Sequence, residues 1–307
     1  MADILVTGGA GFIGSHLVDA LLAAGHGVRV LDNLSMGKLS NLPMGHERLQ
    51  VVEGDVADAE QVAALVQGCD AVAHLAAVAS VQASVEDPAG THRSNFIGTL
   101  NVCEAMRRHG VRRVVFASSA AVYGNNGQGV AIAEGTPTQP LTPYACDKLA
   151  SEQYLDFYRR EHGLEPAIFR FFNVFGPRQD PSSPYSGVIS IFTQRVQQGQ
   201  AISVFGDGEQ TRDFFYVADL VDVLLQGLLE PGVTHQPVNV GWQASVSLNQ
   251  LLSEIGRLYG TLPQVTYGPA RAGDIRHSLA DNARLKQCYR LGTPTALGDG
   301  LKQLLNL

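Results

Sequence analysis

The 307-residue sequence predicts an α/β protein: a doubly wound parallel sheet with a smaller, mostly C-terminal α/β lobe. Three observations predict it. A glycine loop near the start lies between an apolar run and an amphipathic segment. Strand and helix signals then alternate through Phe171. After Asn173 that rhythm breaks into stretches punctuated by Pro177, Pro181, Pro184 and Gly187. Repeated β-α alternation with short links is the pattern of a parallel sheet covered by helices on both faces.

Ile4 to Val6 is the first strand and Ile13 to Ala24 the first helix, ended near Gly25. Between them Gly8, Gly11 and Gly14 are spaced GxxGxxG. Gly8 permits the tight turn, Gly11 lets the backbone approach a pyrophosphate, and Gly14 lets the helix pack on the strand. The helix then directs free N–H groups at the phosphates. This is the Rossmann-type order of a dinucleotide site. Gly27 to Asp32 is the second strand, and Asp32 closes it where such a unit sets an acid on the adenosine ribose. A carboxylate there repels a 2′-phosphate, so NAD is expected rather than NADP. The residue pattern alone also allows Asp32 to be a helix cap. Ser35 and Gly37 follow in a polar loop within reach of the ribose or phosphate.

Leu49 to Val56 reads as strand three, with Asp55 at its end, and Ala59 to Val66 as a helix. Ala71 to Ala77 is continuously apolar apart from His74, as a buried parallel strand should be. His74 is expected to be a satisfied core histidine, and Ala76, Ala77 and Ala79 leave room for a coenzyme. Asn95 to Arg108 is helical. Arg113 to Ala117 is strand five, ending in Ser118 and Ser119 at the edge where open α/β sheets place ligands. Gly124 to Pro143 is loop, Cys146 to Arg160 helix, and Pro166 to Phe171 strand six. Later helices are expected at Val188 to Gln198, Val217 to Leu229 and Leu248 to Tyr259, with a turn at Phe205 to Gly208. The expected division is residues 1–172 plus about 213–240 for the NAD-binding domain, and about 173–212 plus 241–307 for the substrate lobe.

Composition excludes several classes. Net charge is −7, which argues against a phosphate-tracking nucleic-acid surface. No apolar run approaches the roughly 20 residues of a membrane span. The 9 histidines form no HxH or HExxH cluster, so no metal is expected. Cys69, Cys103, Cys146 and Cys288 show no CxxC spacing and fit free thiols in a reducing cytoplasm. With the glycine loop so near Met1, no signal peptide is expected.

Tyr144 and Lys148 stand four apart, so on a helix they share a face. A tyrosine acting as a base near pH 7 needs about 3 pKa units of help, roughly 4 kcal/mol. A neighbouring ammonium and the positive nicotinamide ring would both favour the phenolate. Ser119 can donate to the same substrate oxygen. Cys146, between the pair, is expected to be packing.

The chain resembles the extended short-chain dehydrogenases/reductases and, within them, the UDP-hexose 4-epimerases. The resemblance rests on Gly8 to Gly14, Asp32-Asn33-Leu34, Gly54-Asp55-Val56, Phe116 to Gly124, Pro143 to Lys148, Arg170 to Gly176, Gln210 to Asp213 and Gly273-Asp274, nearly the whole chain. It implies Ser119, Tyr144 and Lys148 as the catalytic trio. It implies NAD contacts at Gly8, Gly11, Phe12, Ile13, Gly14, Asp32, Asn33, Ser35, Gly37, Asp55, Val56, Leu75, Ala76, Ala77, Asn95, Tyr144, Lys148 and Phe171. On the UDP-sugar side it implies Ser119, Asn173, Val188, Phe205, Arg212, Arg271, Asp274 and Ser278. The arginines suit a diphosphate. The implied chemistry is transient oxidation at C4, turnover of the 4-keto sugar, and return of hydride to the opposite face.

Three departures bear on the reaction. Relatives that dehydrate or decarboxylate the sugar carry acids where this chain has Ala120 and Ala121, so elimination lacks its acid or base. A lysine found in some members is replaced by Ala79. Ser278 stands where epimerases confined to UDP-glucose and UDP-galactose carry tyrosine. Serine leaves space at the sugar C2, so the 2-acetamido pair, UDP-N-acetylglucosamine and UDP-N-acetylgalactosamine, is the expected substrate. The non-acetylated pair and a net NAD-dependent sugar-nucleotide reductase remain open at this point, as does a catalytically silent NAD-binding protein on the same fold. The resemblance implies a homodimer through the two helices at Asn95 to Arg108 and Cys146 to Arg160.

Overall fold

The computed structural model describes residues 1–126, 129–181, 187–232, 234–261, 263–270 and 275–307. In chain order, β1 (Asp3–Thr7), α1 (Phe12–Ala23), β2 (Gly27–Asp32), β3 (Leu49–Glu53), α2 (Ala59–Val66) and β4 (Ala71–His74) build the first half of the sheet. Two short helices, α3 (Val81–Glu86) and α4 (Pro88–His92), lead through a π-helical turn at Arg93–Ile97 into α5 (Gly98–His109). β5 (Arg113–Ser119), α6 (Pro143–His162) and β6 (Glu165–Phe171) follow. The remainder is β7 (Asn173–Phe175), α7 (Val188–Gln197), β8 (Ile202–Phe205), β9 (Thr211–Arg212), β10 (Phe214–Tyr216), α8 (Val217–Leu229), β11 (Val238–Val240), β12 (Val246–Ser247), α9 (Leu248–Tyr259), β13 (Val265–Gly268), α10 (Ala283–Cys288) and α11 (Leu297–Leu305).

Among the described residues, seven strands form one parallel sheet in the order β11-β6-β5-β4-β1-β2-β3. The chain reverses direction across the sheet between β1 and β4, and that switch point opens a crevice at the carboxyl ends of the strands. Strand periodicity sorts the core. Ile4, Val6, Val30 and Phe169 face α1 and α8, packing on Leu17, Leu21, Leu220 and Leu224. Leu5, Leu31, Val72, Phe116 and Ile168 face α2, α5 and α6, packing on Val62, Met106 and Leu155. Each such side chain taken fully out of water contributes about 1.5–3 kcal/mol. A separate apolar cluster, including Phe175, Ile189, Phe192, Ile202, Leu251, Ile255 and Leu301, joins α7, α9 and α11 to the parallel pair β8–β13.

Several boundaries differ from the sequence reading. α6 starts at Pro143 rather than Cys146: the Thr142 hydroxyl accepts the Ala145 N–H, and a proline at the first helical position loses no hydrogen bond. Tyr144 therefore lies inside the helix. β3 stops at Glu53 and β4 at His74, so Asp55 and the Leu75–Ala77 segment are loop beyond the sheet edge. The helix expected from Asn95 begins properly only at Gly98, after the π-helical turn. Cys146 is exposed, not packed: the buried face of α6 belongs to Tyr144, Ala145, Asp147 and Lys148. Among the described residues no helix is long and apolar enough to cross a membrane, and no group of His, Cys, Asp and Glu is placed to hold a metal.

Candidate active site

The glycine loop is built for a diphosphate. Gly8 has φ +72°, and a Cβ there would lie 2.8 Å from the Ala76 nitrogen. A Cβ on Gly14 would lie 2.1 Å from the Gly8 carbonyl oxygen. The loop and helix thus touch backbone to backbone. Gly11 caps α1 with no side chain on the first-turn N–H groups, which leaves them for an anion at Phe12 and Ile13. Asp32 is buried at the end of β2. Its Oδ2 accepts the Ala10 N–H (2.9 Å) and its Oδ1 the Leu34 N–H (2.9 Å), so it staples the glycine loop and still keeps lone pairs for a diol. Asn33 accepts the Ser35 hydroxyl (2.7 Å), and a Cβ on Gly37 would meet Ala10 and Asp32 at 2.9 Å. The cradle is one that side chains would fill, and it fits a dinucleotide.

Asp55 and Val56 follow β3, on the same side of the switch point as Asp32, while Leu75 to Ala77 follow β4 on the other side. Asp55 accepts the Ala57 N–H (2.9 Å), and Leu75 N–H donates to the Thr7 carbonyl (3.1 Å). Asn95 is committed to the backbone: it accepts Val78 N–H (2.8 Å) and donates to Val78 O (3.1 Å), holding the segment beyond β4. Phe171 pairs with Ser119 and Val240 across the sheet edge. His74 is the satisfied core histidine expected, with Thr7 on Nδ1 and Thr99 on Nε2.

The structure brings Ser119, Tyr144 and Lys148 together at the end of β5 and the start of α6. Ser119 accepts the Ala121 N–H (3.2 Å), and its hydroxyl lies close enough to the Tyr144 phenol to draw that group's pKa down. Burial pushes the Tyr144 pKa up, opposite to what a base needs, and the Ser119 hydrogen bond pulls against it. The Lys148 nitrogen lies 4.9 Å from the Phe116 ring centroid and 5.9 Å from that of Tyr144. Burial lowers the Lys148 pKa to about 8, against the raising charges of Asp147 and Glu152.

That shift predicts a stability signature. Unfolded, Lys148 titrates at about 10.5; folded, at about 8. Between those values the unfolded chain holds the extra proton, so stability rises with pH from about 8 to 10.5. Below pH 8 the charged lysine costs about 3 kcal/mol relative to a neutral group. Lys148→Met is expected to abolish turnover yet stabilise the coenzyme-free protein at pH 7, with the gain shrinking toward pH 10. Urea midpoints at the two pH values measure it; a loss of stability at pH 7 contradicts the reading.

A buried ionic network lies directly behind the trio, and the sequence reading did not select it. Glu152, on the α6 face of Tyr144 and Lys148, takes two bonds from Arg170 (2.6 and 2.9 Å) and one from the Ser118 hydroxyl (2.5 Å). Arg170 also donates to the Tyr123 phenol (2.8 Å), which donates to Asn239 (2.6 Å). The signals were present: an acid one turn past Lys148, and a lone arginine in the apolar run of β6. Asp213 was likewise overlooked as a structural anchor. Fully buried, it accepts the N–H groups of Trp242 (2.9 Å), Gln243 (2.9 Å) and Ala280 (3.1 Å).

On the substrate side, β9 gathers the residues. Arg212 lies on it, and the Ser278 N–H donates to the Thr211 carbonyl (3.2 Å), which sets Ser278 against that strand. Asn173 donates its main-chain N–H to the Asp213 carbonyl (3.1 Å). Val188 opens α7, and Phe205 closes β8 with 41% of its surface exposed. Arg271 and Asp274 lie outside the described residues.

A family model, the NAD dependent epimerase/dehydratase family, matches residues 4–241. This chain belongs to that family. Its seven-stranded sheet and its cradle at Gly8–Gly14 are the matched part of the fold. The chain is 39% identical over 301 residues to a UDP-glucose 4-epimerase of Mycolicibacterium smegmatis, covering 97% of this chain and 95% of that one. Among solved structures it superposes on the UDP-N-acetylglucosamine 4-epimerase of Methanobrevibacter ruminantium in complex with UDP-N-acetylmuramic acid, with TM-score 0.94 and 36% identity over 99% of this chain and 97% of the other. The UDP-glucose 4-epimerase of Thermotoga maritima with UDP-glucose gives TM-score 0.93 and 38% identity, again over 99% and 97%.

Proposed function

We propose that this protein, an NAD-dependent epimerase of UDP-sugars, inverts C4 and prefers the 2-acetamido pair UDP-N-acetylglucosamine and UDP-N-acetylgalactosamine. The observation that carries the preference is Ser278, a small half-buried residue whose main-chain N–H is held by the carbonyl of Thr211, the neighbour of Arg212 in β9. A tyrosine ring at that position would take the space an acetamide needs.

Bound NAD supplies the hydride acceptor and donor. Gly8 to Gly14 and Asp32 hold its diphosphate and adenosine ribose. Tyr144, as phenolate, takes the proton from the sugar O4 and later gives it back. Ser119 donates to the same oxygen, and the Lys148 ammonium stabilises the phenolate. Arg212 and Asn173 grip the UDP diphosphate while the 4-keto sugar turns over. Ala120 and Ala121, in the turn directly after Ser119, offer no acid or base for elimination or decarboxylation.

Residues 1–172 plus about 213–240 are read as the NAD-binding domain and the remainder as the UDP-sugar lobe. Two copies are read as pairing through α5 and α6; on α6, Tyr154 and Phe157 stay more than two-fifths exposed in one copy, an apolar surface suited to a second chain.

Incubation with UDP-N-acetylglucosamine and no added NAD is expected to give UDP-N-acetylgalactosamine, with kcat/KM above that for UDP-glucose. Ser278→Tyr is expected to cut kcat/KM for the acetamido sugar at least about tenfold and to spare UDP-glucose. Equal kcat/KM for both sugars in the unaltered enzyme would remove the preference and leave the epimerase.

A further inference from the structure

His74 lies in the core, bonded to the buried hydroxyls of Thr7 and Thr99 and, through Thr99, linked to that of Ser151. The proton order in this group is determined by its geometry. The Thr99 hydroxyl lies 2.6 Å from the Asn95 carbonyl, which can only accept, so the Thr99 proton points there. The Thr99 oxygen must then accept from its two other neighbours, His74 Nε2 (3.0 Å) and the Ser151 hydroxyl (3.3 Å). Nε2 therefore carries the imidazole proton. Nδ1 is left as a bare acceptor, and the Thr7 hydroxyl fills it (2.8 Å). The Thr7 oxygen in turn receives the Ala76 N–H (3.3 Å). Each hydrogen has one place to go.

The partners are not scattered. Thr7 is the last residue of β1, directly before Gly8. Ala76 is the residue whose nitrogen closes against Gly8. Asn95 lies in the π-helical turn and clamps Val78 beyond β4. Ser151 lies on α6 one turn beyond Lys148 and two beyond Tyr144. A π-helical turn often marks a functional position. Here the Thr99 hydroxyl occupies the carbonyl of Asn95 at its centre.

We propose that His74 is a positioning residue of the epimerase: through Thr7 on one side, and through Thr99 and Ser151 on the other, it ties the coenzyme loop to the catalytic helix and so sets the distance between the nicotinamide and the Tyr144 oxygen. Burial, with the Lys148 charge adding to it, lowers the His74 pKa to about 3, so the proton order holds through the working pH range. A protonated ring would present a second N–H to Thr7 and break the chain of bonds. Hydride transfer falls steeply with small displacements, and about 1 Å can cost a hundredfold.

The proposal rests on the epimerase reaction and not on the sugar preference, so each variant is assayed on holoenzyme with both UDP-N-acetylglucosamine and UDP-glucose. Unaltered enzyme that turns over neither sugar would count against the function reading itself. His74→Phe keeps the ring and its stack on Phe116, 5.8 Å between centroids, and deletes both hydrogen bonds. It is expected to lower kcat about 10- to 100-fold with the KM for UDP-sugar within about twofold. Thr99→Val, equal in shape, should do the same, and Thr99→Ser, which restores the hydroxyl, should return kcat to within about threefold of the unaltered enzyme. Unchanged kcat in folded His74→Phe, with only a lower Tm, would make His74 a plain core residue. Thr99→Ser no better than Thr99→Val would overturn the proposal equally, and decides it should His74→Phe not fold.

Discussion

Tyr144→Phe is expected to lower kcat by about 10²–10⁴-fold while leaving the fold and bound NAD intact. The substitution removes one oxygen from a ring that is already buried, so the α6 packing is retained. What disappears, on the proposed mechanism, is the proton acceptor for the sugar O4. Burial raises the Tyr144 pKa in the coenzyme-free protein and the Ser119 hydroxyl pulls it down; on the proposed mechanism the phenolate also needs the Lys148 ammonium and the positive nicotinamide ring. The reaction should therefore lose rate on the acid side as the phenolate is protonated. Initial rates against pH, with NAD content measured on the same preparation, test both parts. Turnover within about tenfold of the unaltered enzyme would transfer the base role to another group.

Glu152→Gln is expected to destabilise the protein by about 3–5 kcal/mol, because it leaves the Arg170 guanidinium buried without its counter-charge. The urea midpoint should fall with the slope unchanged. Activity should fall as well. Glu152 holds the Ser118 hydroxyl, and Ser118 adjoins Ser119, so the bond sets the end of β5 against α6. The double variant Glu152→Met with Arg170→Met should recover much of the stability, since two apolar side chains replace two desolvated charges. It should not recover the activity, because the Ser118 anchor is still missing. A single variant as stable as the parent would mean that water or Glu134 already compensates Arg170.

The candidate coenzyme cradle was legible from local pattern. The Gly8, Gly11 and Gly14 spacing needs only the strand before it and the helix after it, and both are short-range signals. Asp32 at a strand end and the Tyr144–Lys148 spacing are equally local. The start of α6 was misplaced because the loop composition from Gly124 to Pro143 masks the cap made by Thr142 and Pro143. Cys146 was misjudged because lying between Tyr144 and Lys148 in sequence puts it about 200° around the helix from Tyr144, on the opposite face. The Glu152–Arg170 pair escaped because its partners are 18 residues apart and meet only when β6 lies beside α6.

From residue order alone came the parallel sheet, the dinucleotide loop and the trio Ser119, Tyr144 and Lys148, because periodicity and short spacings determine which side chains share a strand or helix face. Tertiary packing alone decided the placement of Ser278 against β9 through Thr211, the joining of the Trp242–Gln243 and Ala280 segments by Asp213, and the meeting of Thr7, His74, Thr99 and Ser151 in one hydrogen-bonded group. Those contacts join residues tens of positions apart in the chain. Their geometry depends on how strands align and helices settle, and no local sequence signal encodes that.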